Sequence, residues 1–130
     1  MENIKLKNLF VCENVIIAND GKFSVINIFD DIKSTGFPAI HPKLTIATIM
    51  MLGKGSYNEQ IEIVSPNETV IAKVENKVDV TEPNKSSGFL ANFINTVFTV
   101  EGKYWIRVSI DGKPITFKDE YFISVQKNNK

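Results

Sequence analysis

An alternating segment near the C-terminal end constrains the fold more than any other part of this chain. The even-numbered positions are apolar: Tyr104, Ile106, Val108 and Ile110. The odd-numbered positions between and after them are mostly polar: Trp105, Arg107, Ser109 and Asp111. A period of two is typical of a strand with one face in a core and the other toward water. Asp111-Gly112 then predicts a reversal, because this pair tolerates positive φ. Residues 116–125 are the predicted return strand of this closing hairpin.

The rest of the chain consists of short extended segments separated by turn residues. Residues 9–18 and 22–29 flank Asn19-Asp20-Gly21, which predicts a second hairpin. Residues 36–42 contain two prolines and predict a break, whereas residues 43–52 are apolar on both parities and predict a central strand covered on both faces. The pattern predicts seven to nine strands in an antiparallel β-sandwich, and a closed barrel remains the alternative.

Composition limits the classes of function that this chain can serve. Its 130 residues predict one domain spanning 1–130, and 15 basic and 15 acidic residues give no net charge. Arg107 is the only arginine, so we expect no nucleic-acid partner, because such proteins usually carry a basic excess. The N-terminal segment lacks the apolar core of a signal peptide, and no apolar run reaches the length of a membrane span. We therefore expect a cytoplasmic protein without a membrane partner.

The sequence offers no complete set of catalytic residues. His41 is the only histidine and would need a nucleophile and an orienting carboxylate, for which Asp30 or Asp31 are the candidates. His41 lies between Ile40 and Pro42 within the predicted break, which favours a ring that caps or packs at the entrance of a strand. Cys12 lies in an apolar segment without a basic neighbour, which favours a buried thiol over a nucleophile. One Cys and one His cannot build a zinc site, so we expect no enzyme, no cofactor and no metal ion.

Two groups of residues are candidates for binding a partner. Phe89, Leu90 and Phe93 follow the longest polar break and would form an interface patch if exposed; a further core strand is the alternative. Trp105 and Arg107, on the outer row of the closing hairpin, belong to the residue types enriched in binding hot spots. The alternative for this pair is that the tryptophan covers the sheet.

Part of the chain resembles known folds. The segment Gly102-Lys103-Tyr104 to Gly112 resembles the F–G hairpin of immunoglobulin-like sandwiches, with Tyr104 placed like their corner tyrosine. The cysteine pair and core tryptophan of antibody domains are missing. Over nearly the whole length, Phe10-Val11-Cys12-Glu13, residues 21–30, residues 37–42 and the closing hairpin resemble a bacterial family of uncharacterised small proteins. This resemblance implies an immunoglobulin-like β-sandwich and no assigned activity.

Three functions remain open from the sequence. The first is a non-enzymatic interaction or assembly module that binds a protein partner or its own copy by an edge strand or a face. The second is a carrier or sensor of a small apolar ligand, with a pocket between the sheets lined by phenylalanines and Met50-Met51. The third and least favoured is a hydrolase centred on His41.

Overall fold

The computed structural model describes residues 4–82 and 86–128, and in these ranges the chain forms strands joined by turns and bends. In chain order the strands are β1 (Ile4–Ile17), β2 (Phe23–Ile28), β3 (Asp31–Ser34), β4 (Ala39–Leu52), β5 (Gly55–Val64), β6 (Val70–Val80), β7 (Ser86–Phe98), β8 (Gly102–Ile110), β9 (Lys113–Pro114) and β10 (Phe122–Lys127). No helix occurs in those two ranges. The all-β prediction is confirmed, with ten strands because the short β3 and β9 also pair.

The strands form two sheets that share one core. The first has the order β2-β1-β4-β7, and the second the order β3-β10-β8-β5-β6, with β9 on β8. Neighbouring strands run antiparallel except β3 and β10, which are parallel. The buried core contains side chains from both sheets, including Leu44, Ile46 and Met50 from the first and Ile61, Ile63, Tyr104, Ile106 and Val108 from the second.

The closing hairpin follows the predicted alternation on its core face. Tyr104, Ile106, Val108 and Ile110 are fully buried. The other face was predicted to meet water, yet Trp105 and Ser109 on it are also buried. Asp111 and Gly112 have φ of 51° and 82°, which confirms the reversal after β8.

The predicted return strand over residues 116–125 is wrong in its first half. The chain leaves the ladder after β9, where Pro114 lies opposite Ser109, and it pairs again only from Phe122. Pro114 itself does not end the contact with β8, because the next N–H, that of Ile115, still donates to the Val108 carbonyl at 2.8 Å. Between β9 and β10, the Thr116 hydroxyl satisfies backbone groups of β8 that a paired strand would otherwise satisfy. It donates to the Ile106 carbonyl at 3.1 Å and accepts from the Val108 N–H at 3.0 Å.

The first sheet is built around β4, which lies between β1 and β7 as predicted for a central strand. Ala47 is fully buried on one face of β4, and Ile46 on the other. The predicted break over residues 36–42 is too long, because β4 already begins at Ala39. The register passes from His41 opposite Thr96 to Lys43 opposite Ile94, so Pro42 falls between two paired positions.

Candidate interaction edge and apolar pocket

The first sheet curls into a half-barrel, so that its two edge strands approach each other. Phe23 lies in β2 at one edge, and Gly88 lies in β7 at the other. A Cβ atom added to Gly88 would lie 2.6 Å from Cζ of the Phe23 ring. The ring therefore rests directly on the glycine backbone, and any larger residue at position 88 would have to displace it.

An apolar pocket of about 420 Å³ opens on the concave side of this curl. Its walls are Phe10, Phe23, Val25, Ile49 and Gly88, with Gly21, Lys22 and Ser86 around them. Strand β1 makes the curl possible because residues Ile4–Cys12 pair with β4, whereas Cys12–Ile17 pair with β2. The change of partner at Cys12 separates the β1–β2 hairpin from β4.

The position of this pocket differs from the prediction. A ligand pocket was expected between the sheets and beside Met50-Met51, but Met50 is buried in the core and neither methionine lines the 420 Å³ pocket. A smaller cavity of about 190 Å³ does involve both sheets, with Leu9, Phe29, Ile106 and Tyr121 among its lining residues. Alternation along a strand assigns a residue to a face, but it does not reveal that the face is concave.

The edge strands of the two sheets differ sharply in charge. In the second sheet, β3 carries Asp31 and Lys33, and β6 carries two lysines and two acidic residues. In the first sheet, neither β2 nor the thirteen residues of β7 include a charged side chain. Natural proteins commonly place charges on edge strands to block pairing with other chains. The edges of the first sheet lack this protection.

The end of β7 that lies away from Phe23 carries an exposed apolar cluster. Ile94 is 62% exposed and Val97 is 41% exposed, and Ile40, opposite Val97 on β4, is 63% exposed. We call these three residues the β7 cluster. Beside it, a groove of about 340 Å³ runs between β6 and β7 and is lined in part by Ile71, Ala72 and Val74.

The predicted patch on β7 is composed differently in the structure. Phe93 is only 4% exposed and belongs to the core, and Phe89 packs half-buried against the same core. Leu90 is half-buried opposite Ala47. The alternative of a core strand is therefore right for Phe93. The sequence analysis did not select Ile94 for the patch. Adjacent residues of a strand point to opposite faces, so a buried Phe93 indicates that Ile94 faces away from the core.

Trp105 and Arg107 lie together on the outer face of the second sheet. The Arg107 guanidinium carbon is 5.5 Å from the centroid of the Trp105 ring, and Arg107 Nε donates to Glu62 Oε1 at 2.8 Å. Trp105 pairs with Val64 on one side and Phe122 on the other and is 9% exposed. This arrangement matches a tryptophan that covers the sheet. Its Nε1 is buried and has no hydrogen-bond partner among the described residues.

The two residues considered for catalysis occupy packed positions. His41 lies in β4, with its ring centroid 5.7 Å from that of Phe29. Cys12 is fully buried, its thiol donates to the Thr45 carbonyl at 3.5 Å, and burial raises the pKa of the thiol. A raised pKa keeps sulfur protonated and weakly nucleophilic.

Two further features concern the described residues only. Within residues 4–82 and 86–128, no three His, Cys, Asp or Glu side chains come together as a metal ion would require. In the same ranges, no helix has the length and apolar character needed to cross a membrane.

Comparison with known proteins defines the family but not an activity. No curated protein matches this chain. The model of a family of unknown function, DUF6941, matches residues 7–119, which include β2 to β9 entirely and most of β1. The chain therefore belongs to the DUF6941 family of unknown function.

Proposed function

We propose that the protein is a non-enzymatic interaction module, and that its partner is a second copy of the chain paired along β7. The observation that carries this proposal is the uncharged edge formed by β7. An edge strand presents unpaired backbone N–H and C=O groups, which another strand satisfies by extending the sheet. Two copies that meet along β7 would join their curled sheets into one.

The absence of charge favours a second copy as the occupant. Most homo-oligomers are closed by two-fold axes, and such an axis brings a surface patch against the same patch of the partner. Like charges directly opposite each other destabilise a strand pair, so a charged strand can pair with its own copy only in registers that bring opposite charges together. β7 has no charged side chain and is free of this restriction, whereas β6 carries Lys73, Glu75, Lys77 and Asp79.

The β7 cluster supplies apolar surface next to the pairing edge. Ile40, Ile94 and Val97 are solvent-exposed in the single chain, and burial of apolar surface contributes roughly 25 cal/mol per Å². The groove between β6 and β7 offers a place for side chains of the second copy. Backbone pairing would then set the register, and the three side chains would add affinity.

The remaining finer assignments are predictions. An immunoglobulin-like arrangement is supported by the Tyr104 hydroxyl, which donates to the Val100 carbonyl at 2.8 Å in the manner of a corner tyrosine. Bacterial origin and a cytoplasmic location rest on sequence alone, as do binding roles for Trp105 and Arg107.

Sedimentation of the purified chain over a range of concentrations tests the proposal. We expect a monomer–dimer equilibrium that Ile94→Lys shifts to monomer, because the substitution places a cation beside its own copy at the edge. Ile17→Lys is the matched control, since Ile17 is 56% exposed at the end of β1, outside the β7 edge. A wild-type chain that stays monomeric at all concentrations would reject self-pairing, and so would a dimer unaffected by Ile94→Lys.

A further inference from the structure

We propose that the 420 Å³ pocket under the β1–β2 hairpin binds a small molecule with an apolar body and one anionic head group, of the medium-chain carboxylate class. This site shares Ser86 and Gly88 at the start of β7 with the proposed pairing edge, but no member of the β7 cluster lines it. Its volume falls within the range of about 300–1,000 Å³ that is usual for small-molecule sites.

The walls of the pocket suit an apolar body. Two aromatic rings, Phe10 and Phe23, and the aliphatic side chains of Val25 and Ile49 form them. Gly88 contributes backbone only, and its lack of a side chain leaves room both for the Phe23 ring and for the space beside it. Moving an alkyl chain from water into such a site is favourable in proportion to the apolar surface that it buries.

The rim of the pocket is cationic, which selects the head group. Lys22 lines the pocket, and its ammonium is 3.5 Å from the Asp20 carboxylate. The Lys7 ammonium donates to the hydroxyl of Ser86, another lining residue, at 3.2 Å. An ammonium group has three donors, so Lys7 can hold Ser86 and an anion together. Asp79 and Glu82 line a neighbouring cavity that shares Ser86. An anionic head group at the rim, between the Lys7 and Lys22 ammonium groups, would accept hydrogen bonds from both.

Titrations followed by amide NMR shifts test both the site and the ligand class. The probes are sodium octanoate, 1-octanol and octylammonium chloride at pH 7, which share an alkyl length and differ in charge. We expect octanoate to shift the amides of Phe23 and Gly88 and to bind about fivefold more tightly than octanol, the effect of one partly exposed ion pair of about 1 kcal/mol. Octylammonium should bind more weakly than octanol.

Two variants assign any binding to this pocket. The double substitution Lys7→Gln and Lys22→Gln should abolish the preference for octanoate over octanol, while Lys113→Gln in β9 should leave it unchanged. Ile49→Trp should fill the pocket and weaken octanoate and octanol alike. If that variant fails to fold, the lysine variants still decide.

Three results would overturn the proposal. The first is the absence of any shift at Phe23 and Gly88 with octanoate. The second is equal affinity for octanoate and octanol, which would remove the anionic class. The third is binding that survives both the lysine double variant and Ile49→Trp unchanged, which would place the ligand elsewhere on the molecule.

Discussion

Glu59 shows how far a single residue can depart from its usual environment. It is a strand residue of β5 with only 3% of its surface exposed, opposite Ile110. Thr48 Oγ1, from β4 of the other sheet, donates to Glu59 Oε2 at 2.8 Å. Burial raises the pKa of the Glu59 carboxyl, and the hydrogen bond from Thr48 only partly offsets this effect. One polar contact thus crosses the core between the two sheets.

The raised pKa of Glu59 predicts a pH dependence of stability. The folded state holds its proton more tightly than the unfolded state, so the free energy of unfolding should fall as pH rises from about 4.3, the ordinary value for Glu, through the raised folded pKa. Glu59→Gln keeps an acceptor for Thr48 and removes the titration. In urea unfolding between pH 4 and 8, the free energy of unfolding of Glu59→Gln should therefore rise relative to that of the wild type as pH rises. If the two free energies changed with pH in parallel, this role of Glu59 would be refuted.

At the scale of elements, the start of β8 is fixed by a glycine that packs against the turn after β5. Gly102 has φ of 143°, and a Cβ there would lie 2.5 Å from Cγ of Pro66. Gly112, in the turn after β8, has φ of 82° but open space around it. Gly36 has open space and no positive φ in the strained range. A side chain would therefore meet neither strain nor contact at Gly36, a strained φ alone at Gly112, and a strained φ together with contact against Pro66 at Gly102.

Alanine at each of the three glycines should give graded losses of stability. Gly36→Ala is expected to stay within about 0.5 kcal/mol of the wild type. Gly112→Ala should cost about 1 kcal/mol from its positive φ alone, and Gly102→Ala should cost more, up to about 3 kcal/mol, because Pro66 must also move. Thermal unfolding of the three variants measures the order. Equal losses for Gly102→Ala and Gly112→Ala would show that Pro66 yields freely.

The sequence predicted faces of strands better than the neighbours of strands. Alternation placed Tyr104 and Ile106 in the core correctly, because the period of two is a local property. Nothing local indicates that β3 pairs parallel with β10, or that β1 changes partner at Cys12. The 420 Å³ pocket depends on the change of partner at Cys12 and on the contact of Phe23 with Gly88. The sequence therefore predicted that a pocket would have apolar walls, but it did not predict where the pocket lies.

At the scale of the whole molecule, the two sheets depend on one core. Met50 from β4 is buried in the same cluster as Ile63, Ile106 and Val108 of the second sheet. The first sheet also has a smaller interior of its own inside its curl, where Cys12 and Ala47 are fully buried outside this cluster. A domain of this size with one shared core is expected to unfold in a single cooperative step.

Cooperativity can be measured with Trp105, the only tryptophan, which lies on the second sheet. Met50→Ala removes buried volume from the first sheet and should cost about 2–5 kcal/mol. Because the core is shared, the urea midpoint from Trp105 fluorescence should fall together with the midpoint from far-UV circular dichroism, which reports both sheets. Ile17→Ala, at an exposed position, should move neither midpoint. If Trp105 kept its wild-type midpoint in Met50→Ala, the second sheet would be stable without the first, and the shared core would not govern folding.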